Sequence, residues 1–153
     1  METGYVDYTD TYMETLQNAR RMTAGDLFRL MFICYPKPIL YLFRLRNWLV
    51  KPFGFQGGGG FAGLIKEKSE KEVVFGKSDK HLTFYVLLQC DTPDACTQRQ
   101  CIRMTTFIKY HNSLGRVYFF FVRPFHVLIC KRLLRWAVRN WENGNVGDLY
   151  RAT

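Results

Sequence analysis

Apolar and polar positions along the chain follow two periods. Between residues 64 and 111 they alternate every second residue, as half-buried strands require. "LIKEKSEKEVVFG" predicts two short strands around a turn at Ser69–Lys71. "HLTFYVLLQC" predicts a strand with Leu82, Phe84, Val86 and Leu88 on one face and His81, Thr83, Tyr85 and Gln89 on the other. "DTPDACTQRQ" is a polar turn. "CIRMTTFIKYH" then places Ile102, Met104, Thr106, Ile108 and Tyr110 opposite Arg103, Thr105, Phe107, Lys109 and His111. Residues 5–20 alternate more loosely and predict a first strand around Val6 to Met13 or slightly later.

Elsewhere the apolar positions recur every three to four residues. "TAGDLFRLMFICY" predicts a helix capped by Thr23 or Asp26, with Leu27, Leu30, Met31 and Cys34 on one face. Pro36 and Pro38 are expected to stop it. A second helix over about Ile39 to Val50 carries Leu42, Leu45, Trp48 and Leu49 on one side. Beyond His111, with Asn112 or Ser113 as cap, Tyr118, Val122, Phe125, Ile129, Leu133 and Trp136 fall within an arc of about 80°. Arg116, Arg123, Lys131, Arg132, Arg135 and Arg139 take the opposite half. This is a long amphipathic helix with an expected kink at Pro124. Four glycines at 57–60 form a loop between the helices and the strands. A phosphate cradle has the reverse order, strand before and helix after, so a connector or lid is the better reading.

The elements run strand, two short helices, antiparallel strands, long helix. Consecutive strands joined by short turns give one curled sheet, and its apolar face needs a cover. The long helix is the candidate cover, and such a helix-grip arrangement leaves room for a cavity beneath it. The expected fold is therefore α+β, a single helix-grip domain over residues 1–141 with a tail at 142–153.

Composition sharpens this picture. A length of 153 residues suits one domain, and 48% apolar content argues against disorder. Thirteen Phe and nine Tyr can fill a core or line an apolar cavity. The +9 net charge fits either a solvated basic surface or acidic partners. Two apolar stretches, Leu27 to Val50 and Lys109 to Trp136, are broken by Arg, Lys, His or Pro, so neither is expected to span a bilayer. "METGYVDYTDTY" has no basic start and no apolar run. The expected setting is therefore cytoplasmic, with Cys34, Cys90, Cys96, Cys101 and Cys130 reduced. Cys90, Cys96 and Cys101 lack the CxxC spacing of a zinc site.

Residues quoted above also carry a resemblance. "SDKHLTFYV" at 78–86 and "HNSLGRVYFFFVRPFHVLICKRLLR" at 111–135 resemble the two signature segments of a bacterial family, domain of unknown function 2867. That family has a D-R-H-L-D-F-like strand, then H-N-x-x-G-R-x-Y, then P-F-H before an amphipathic helix. "YLFRLRNWLVKPFGF" at 41–55 is similar to a third segment. Lys80 stands where the pattern has Arg, and Thr83 where it has an acid. The resemblance implies kinship with START-like, or Bet v 1-like, helix-grip proteins (SRPBCC), which bind apolar molecules under the long helix. Similar domains also follow nicotinamide-binding Rossmann domains, but no G-x-G-x-x-G follows a predicted strand here.

The three histidines all lie in these segments. Each reads either as an acid–base or orienting group or as a hydrogen-bonded structural residue. By parity His81 and His111 share the less apolar sheet face, whereas His126 borders the apolar arc of the helix. A tri-His metal site would need all three on one side. Asp79 could orient His81, or cap a turn. Asn112 and Gly115 shape the strand-to-helix junction. No Ser, Cys or Thr nucleophile announces itself.

The leading expectation is a domain that binds a small apolar or amphipathic ligand between sheet and helix. Phe84, Tyr110, His111, Tyr118, Val122, Phe125, His126 and Ile129 are its candidate lining. The alternatives are a cyclase- or dehydratase-type enzyme with His126 as acid–base, and a basic surface protein for anionic lipid or nucleic acid. No cofactor and no metal are expected. Nucleic acid is disfavoured because the aromatic stripe is needed over the sheet. Peripheral membrane contact stays open, and the sequence carries no sign of oligomeric state.

Overall fold

A computed structural model of the chain describes residues 5–17, 20–34, 36–50, 65–78, 80–144 and 147. The elements are β1 (Tyr8–Leu16), α1 (Ala24–Phe32), α2 (Lys37–Val50), β2 (Ile65–Lys68), β3 (Glu72–Ser78), β4 (Leu82–Cys90), β5 (Gln100–Tyr110) and α3 (Ser113–Glu142). The strands form one antiparallel sheet in the order β1-β5-β4-β3-β2. Three hairpin-linked pairs build most of it, and β1 returns from the chain start to lie against β5. The result is a curved sheet with a long C-terminal helix, a helix-grip-like α+β fold. The glycine run 57–60 and Asp79 lie outside the described residues.

Local chemistry sets the element ends. Both expected caps of α1 act together. Thr23 Oγ1 accepts from the Asp26 backbone N–H at 3.2 Å, and Asp26 Oδ2 accepts from the Thr23 backbone N–H at 3.1 Å, a reciprocal capping box. Pro36 and Pro38 separate α1 from α2 as expected, but α2 starts at Lys37 and takes Pro38 into its first turn. A missing N–H costs nothing there, because first-turn N–H groups have no intrahelical acceptor. Asn112 caps α3: its Oδ1 accepts from Gly115 N–H at 2.9 Å. α3 continues through Pro124, which is exposed.

Two buried clusters hold the inner face. The larger joins α1, the middle of β3 to β5 and the second half of α3, with Leu27, Leu30, Met31, Phe75, Leu88, Ile102, Leu133 and Leu134 at its heart. The smaller joins Leu82 and Ile108 to Tyr118, Phe119 and Val122. Each large apolar side chain buried this way contributes about 1.5–3 kcal/mol relative to exposure.

Two helix faces differ from expectation. On α2 the seat is Ile39 with partly buried Leu42, whereas Leu45 and Trp48 are exposed and the Leu49 side chain lies outside the described set. α2 packs chiefly on α3, through its early turns. On α3 the predicted stripe holds through Tyr118, Val122, Ile129 and Leu133. Further on, burial broadens to Cys130, Leu134, Ala137, Val138 and Trp141, while Trp136 is only partly buried. The first half of α3 packs with sheet residues in the smaller cluster. The second half also meets α1 and α2, so more of its circumference is covered.

A buried amide pins the entry to α1. Gln100, 2% exposed, donates from Nε2 to the carbonyls of Met22 and Asp91 at 2.7 and 2.9 Å, and its Oε1 accepts from Met22 N–H at 2.9 Å. Every polar atom of this interior side chain is thereby used.

Candidate functional site

β1 is the edge strand beneath α3, and its alternation is strict. Tyr8, Asp10, Tyr12, Glu14 and Leu16 turn inward, while Thr9, Thr11, Met13 and Thr15 are exposed. Opposite them, α3 presents Phe119, His126 and Cys130 at helical spacing. His126 Nε2 lies 3.0 Å from Asp10 Oδ2. Tyr8 and Tyr12 donate their hydroxyls to the same oxygen at 2.8 and 3.0 Å. A carboxylate oxygen can only accept, so Nε2 carries the proton of this bond.

The carboxylate is used unevenly. Oδ2 receives three donors, but Oδ1 is buried without a protein partner. Asp10 pairs across the ladder with Thr106 of β5, on the same inner face. Thr106 Oγ1 is also buried without a partner. Two unmatched polar atoms therefore occur on directly paired residues in the seam between two apolar clusters. Buried polar atoms without partners are rare because each costs about 1–3 kcal/mol. The neighbouring pair leaves one acceptor and one hydroxyl unused in this seam.

Electrostatics keep the carboxyl ionised and the two phenols protonated. Burial alone would raise the Asp10 carboxyl, but the bonds and charge of His126, with the two phenols, outweigh it and hold the group below the usual carboxylate value. Burial and the bond to Asp10 push the Tyr8 phenol up to about 12, and raise Tyr12 for the same reasons. Both phenols therefore stay donors. Cys130 Sγ lies 3.6 Å from His126 Nδ1 and 3.8 Å from Nε2. Such similar distances place the sulfur beside the ring rather than on one lone pair. Burial, with the Asp10 charge, raises the thiol, so Cys130 is a neutral packing group and not an activated nucleophile.

Aromatic rings wall this seam. Tyr8 packs on Phe119 with centroids 4.8 Å apart, and Phe119 meets the His126 ring at 5.9 Å. The Arg123 guanidinium lies 5.2 Å over Tyr8. Of the predicted lining, Tyr118 and Val122 are buried in the smaller cluster and Ile129 in the larger. Phe84 packs against both, Tyr110 against the smaller and Phe125 against the larger. His126 reaches the seam.

His111 does not join them. It is exposed on the opposite sheet face, where its Nε2 lies 2.7 Å from Thr83 Oγ1, itself 2.7 Å from Ser78 Oγ. Strand parity sends position 111 outward, so His111 cannot line a space under α3. His81 is held at the same junction. Its carbonyl accepts from His111 N–H at 2.9 Å, and its Nδ1 lies 3.2 Å from Asn112 Nδ2. Gly115 packs so closely that a Cβ there would stand 2.1 Å from the His81 carbonyl oxygen. The His81–Asn112–Gly115 set therefore locks β4 to the start of α3.

A concavity lies at the far end of β1. This open groove of about 370 Å³ is lined by Glu14, Thr15, Gln17, Arg135, Val138, Arg139 and Glu142. Its charges brace the fold: Arg135 Nε is 3.5 Å from Glu14 Oε1, and Glu142 Oε1 accepts from Gln17 N–H at 2.9 Å. Among the described residues no three His, Cys, Asp or Glu side chains are grouped to hold a metal ion, and no helix is long and apolar enough to cross a membrane.

The family model described as Protein of unknown function (DUF2867) matches residues 3–133. The chain belongs to this family. No curated protein matches it. The Thr83 departure now has a structural meaning. The acid expected at that position in DUF2867 would stand against His111 on the outer face, away from Asp10 and His126.

Sequence reasoning missed Asp10, Thr106 and Gln100. The "YTDTY" alternation of β1 was the available signal for Asp10, an acid between two tyrosines on one strand face.

Proposed function

We propose that this DUF2867 chain is a binding domain of the START-like kind. Its guest is a small amphipathic molecule, held between the sheet and α3 with its polar end at Asp10 and Thr106. The supporting observation is the pair of unmatched buried atoms, Asp10 Oδ1 and Thr106 Oγ1, set between apolar clusters and beside His126. A hydroxyl, amide or ammonium on the guest would donate to Asp10 Oδ1, and Thr106 could donate or accept. Tyr8, Phe119, Phe125 and Val122 would contact the apolar part. Sites of this kind combine apolar walls with a few polar groups that fix orientation. The neutral, buried Cys130 and the use of His126 Nε2 by Asp10 favour binding over covalent catalysis.

Native mass spectrometry of the purified protein tests this reading. The expected result is a bound small molecule on the wild type, released on denaturation, with occupancy reduced at least about tenfold in D10A. Equal occupancy in D10A contradicts it. So does the absence of any bound molecule together with no thermal stabilisation by a panel of amphipathic compounds.

A further inference from the structure

The outward side of α3 changes character half-way along. Over its first half it shows Leu114, Val117, Phe120, Phe121 and Leu128, all more than a third exposed, with Phe120 at 73% and Phe121 at 55%. At 100° per residue these five occupy one arc of about 120°. Over the second half the same arc carries Lys131, Arg132, Arg135 and Arg139, all exposed. Arg116 and Arg123 flank the apolar half, with guanidinium groups 5.8 and 5.2 Å over the Tyr110 and Tyr8 rings.

The buried stripe of α3 covers the sheet, so this outer stripe is not needed for that task. Soluble monomers seldom string exposed large apolar side chains in a row without a use for them. The Phe120 and Phe121 rings meet edge to face at 5.6 Å and form one projecting wedge. α3 holds six basic residues and one acid, Glu142, on a chain of net charge +9. A second copy would bring the same positive charge to the contact. Nucleic acid would match the charge but leave the Leu, Val and Phe stripe unused.

We propose that the outward face of α3 docks on an anionic phospholipid bilayer. Phe120 and Phe121 enter the boundary between headgroups and acyl chains, with Leu114, Val117 and Leu128 beside them. Lys131, Arg132 and Arg139 meet lipid phosphates; Arg135 is partly engaged by Glu14. The α3 wedge then lies on the membrane while the opposite face of the same helix covers the Asp10 seam. The surface is independent of whether that seam binds a guest.

Vesicle flotation of the full chain tests the proposal, using phosphatidylcholine alone and phosphatidylcholine mixed with phosphatidylserine. The expected result is binding to the mixed vesicles only, weakened by salt. F120S/F121S should lower it about tenfold or more, and K131E/R132E should lower it by a similar factor. Both pairs are exposed, so circular dichroism and the unfolding midpoint should stay near wild type. V117S/L128S provides the same reading should the Phe pair fail to fold. Equal binding to both vesicle types, no binding to either, or unchanged binding in these variants overturns the proposal. So does a dimer that F120S/F121S abolishes while vesicle binding is unchanged, or tighter binding to duplex DNA than to the mixed vesicles.

Discussion

Two polar clusters on α3 contrast, one at its N-terminal junction with β4 and one at its mid-length seam with β1. At the junction, Asn112 spends its oxygen on Gly115 N–H and its amide on the Lys80 carbonyl and the His81 ring, while His111 closes onto Thr83. At the seam, three donors crowd one oxygen of Asp10, while the other oxygen and Thr106 Oγ1 have none. The first arrangement satisfies itself and so serves folding. The second retains hydrogen-bonding capacity inside an apolar layer, which a protein keeps at a cost in stability. The junction is built from motif residues alone, whereas the seam joins His126 of the second signature segment to Asp10 and Thr106, which lie outside both.

Variants can separate the two regions. The largest loss is expected for G115A. Its methyl group would collide with the His81 backbone carbonyl, which cannot move without breaking the β4–α3 junction. A loss of about 3 kcal/mol or more is expected, read as a lower urea midpoint. D10A should cost somewhat less, about 2–3 kcal/mol, because it strands two phenols and the His126 ring in a partly buried setting.

The pH response should sharpen the contrast from both ends. The Asp10 carboxyl is depressed in the folded state, so its contribution is complete above the ordinary carboxylate value and is lost as pH falls through the folded one. The stability difference between wild type and D10N should shrink below about pH 4. Tyr8 acts in the opposite sense. Raised to about 12, it contributes fully below the ordinary phenol value and loses that contribution as pH rises toward 12. Y8F should remove this alkaline component from a urea-midpoint profile, and T83V should leave both ends of the profile unchanged.

The smallest effects belong to T83V and T106V, for different reasons. T83V removes two bonds whose partners, Ser78 and His111, are exposed, so water replaces them at a cost of about 1 kcal/mol or less. T106V deletes a buried hydroxyl with no partner, and the protein without guest should be unchanged or slightly more stable, within about 1 kcal/mol. Unfolding curves of both variants check this directly.

Much of the fold was legible because its signals are local. Strand parity placed Leu82, Val86, Ile102 and Thr106 on the inner face, and helical spacing placed Tyr118, Val122 and Ile129 there too. The errors arose where a third element decides burial. Trp48 sits on the predicted apolar face of α2 yet is exposed, and Trp141 is buried because its side of α3 is covered. The site was less legible. His126 could be picked out from its place on the helix, but its partner lies 116 residues earlier in sequence. The pairing of Asp10 with Thr106 depends on the β1–β5 register, which no local pattern encodes.

The most direct test of the seam is thermal unfolding of wild type and T106V, each stripped of small molecules and then given the molecule released from the wild type. The stripped proteins should melt at nearly the same temperature, and the molecule should raise the melting temperature of the wild type well above that of T106V. An equal rise in both would contradict this, because Thr106 Oγ1 would then have no part in holding the guest.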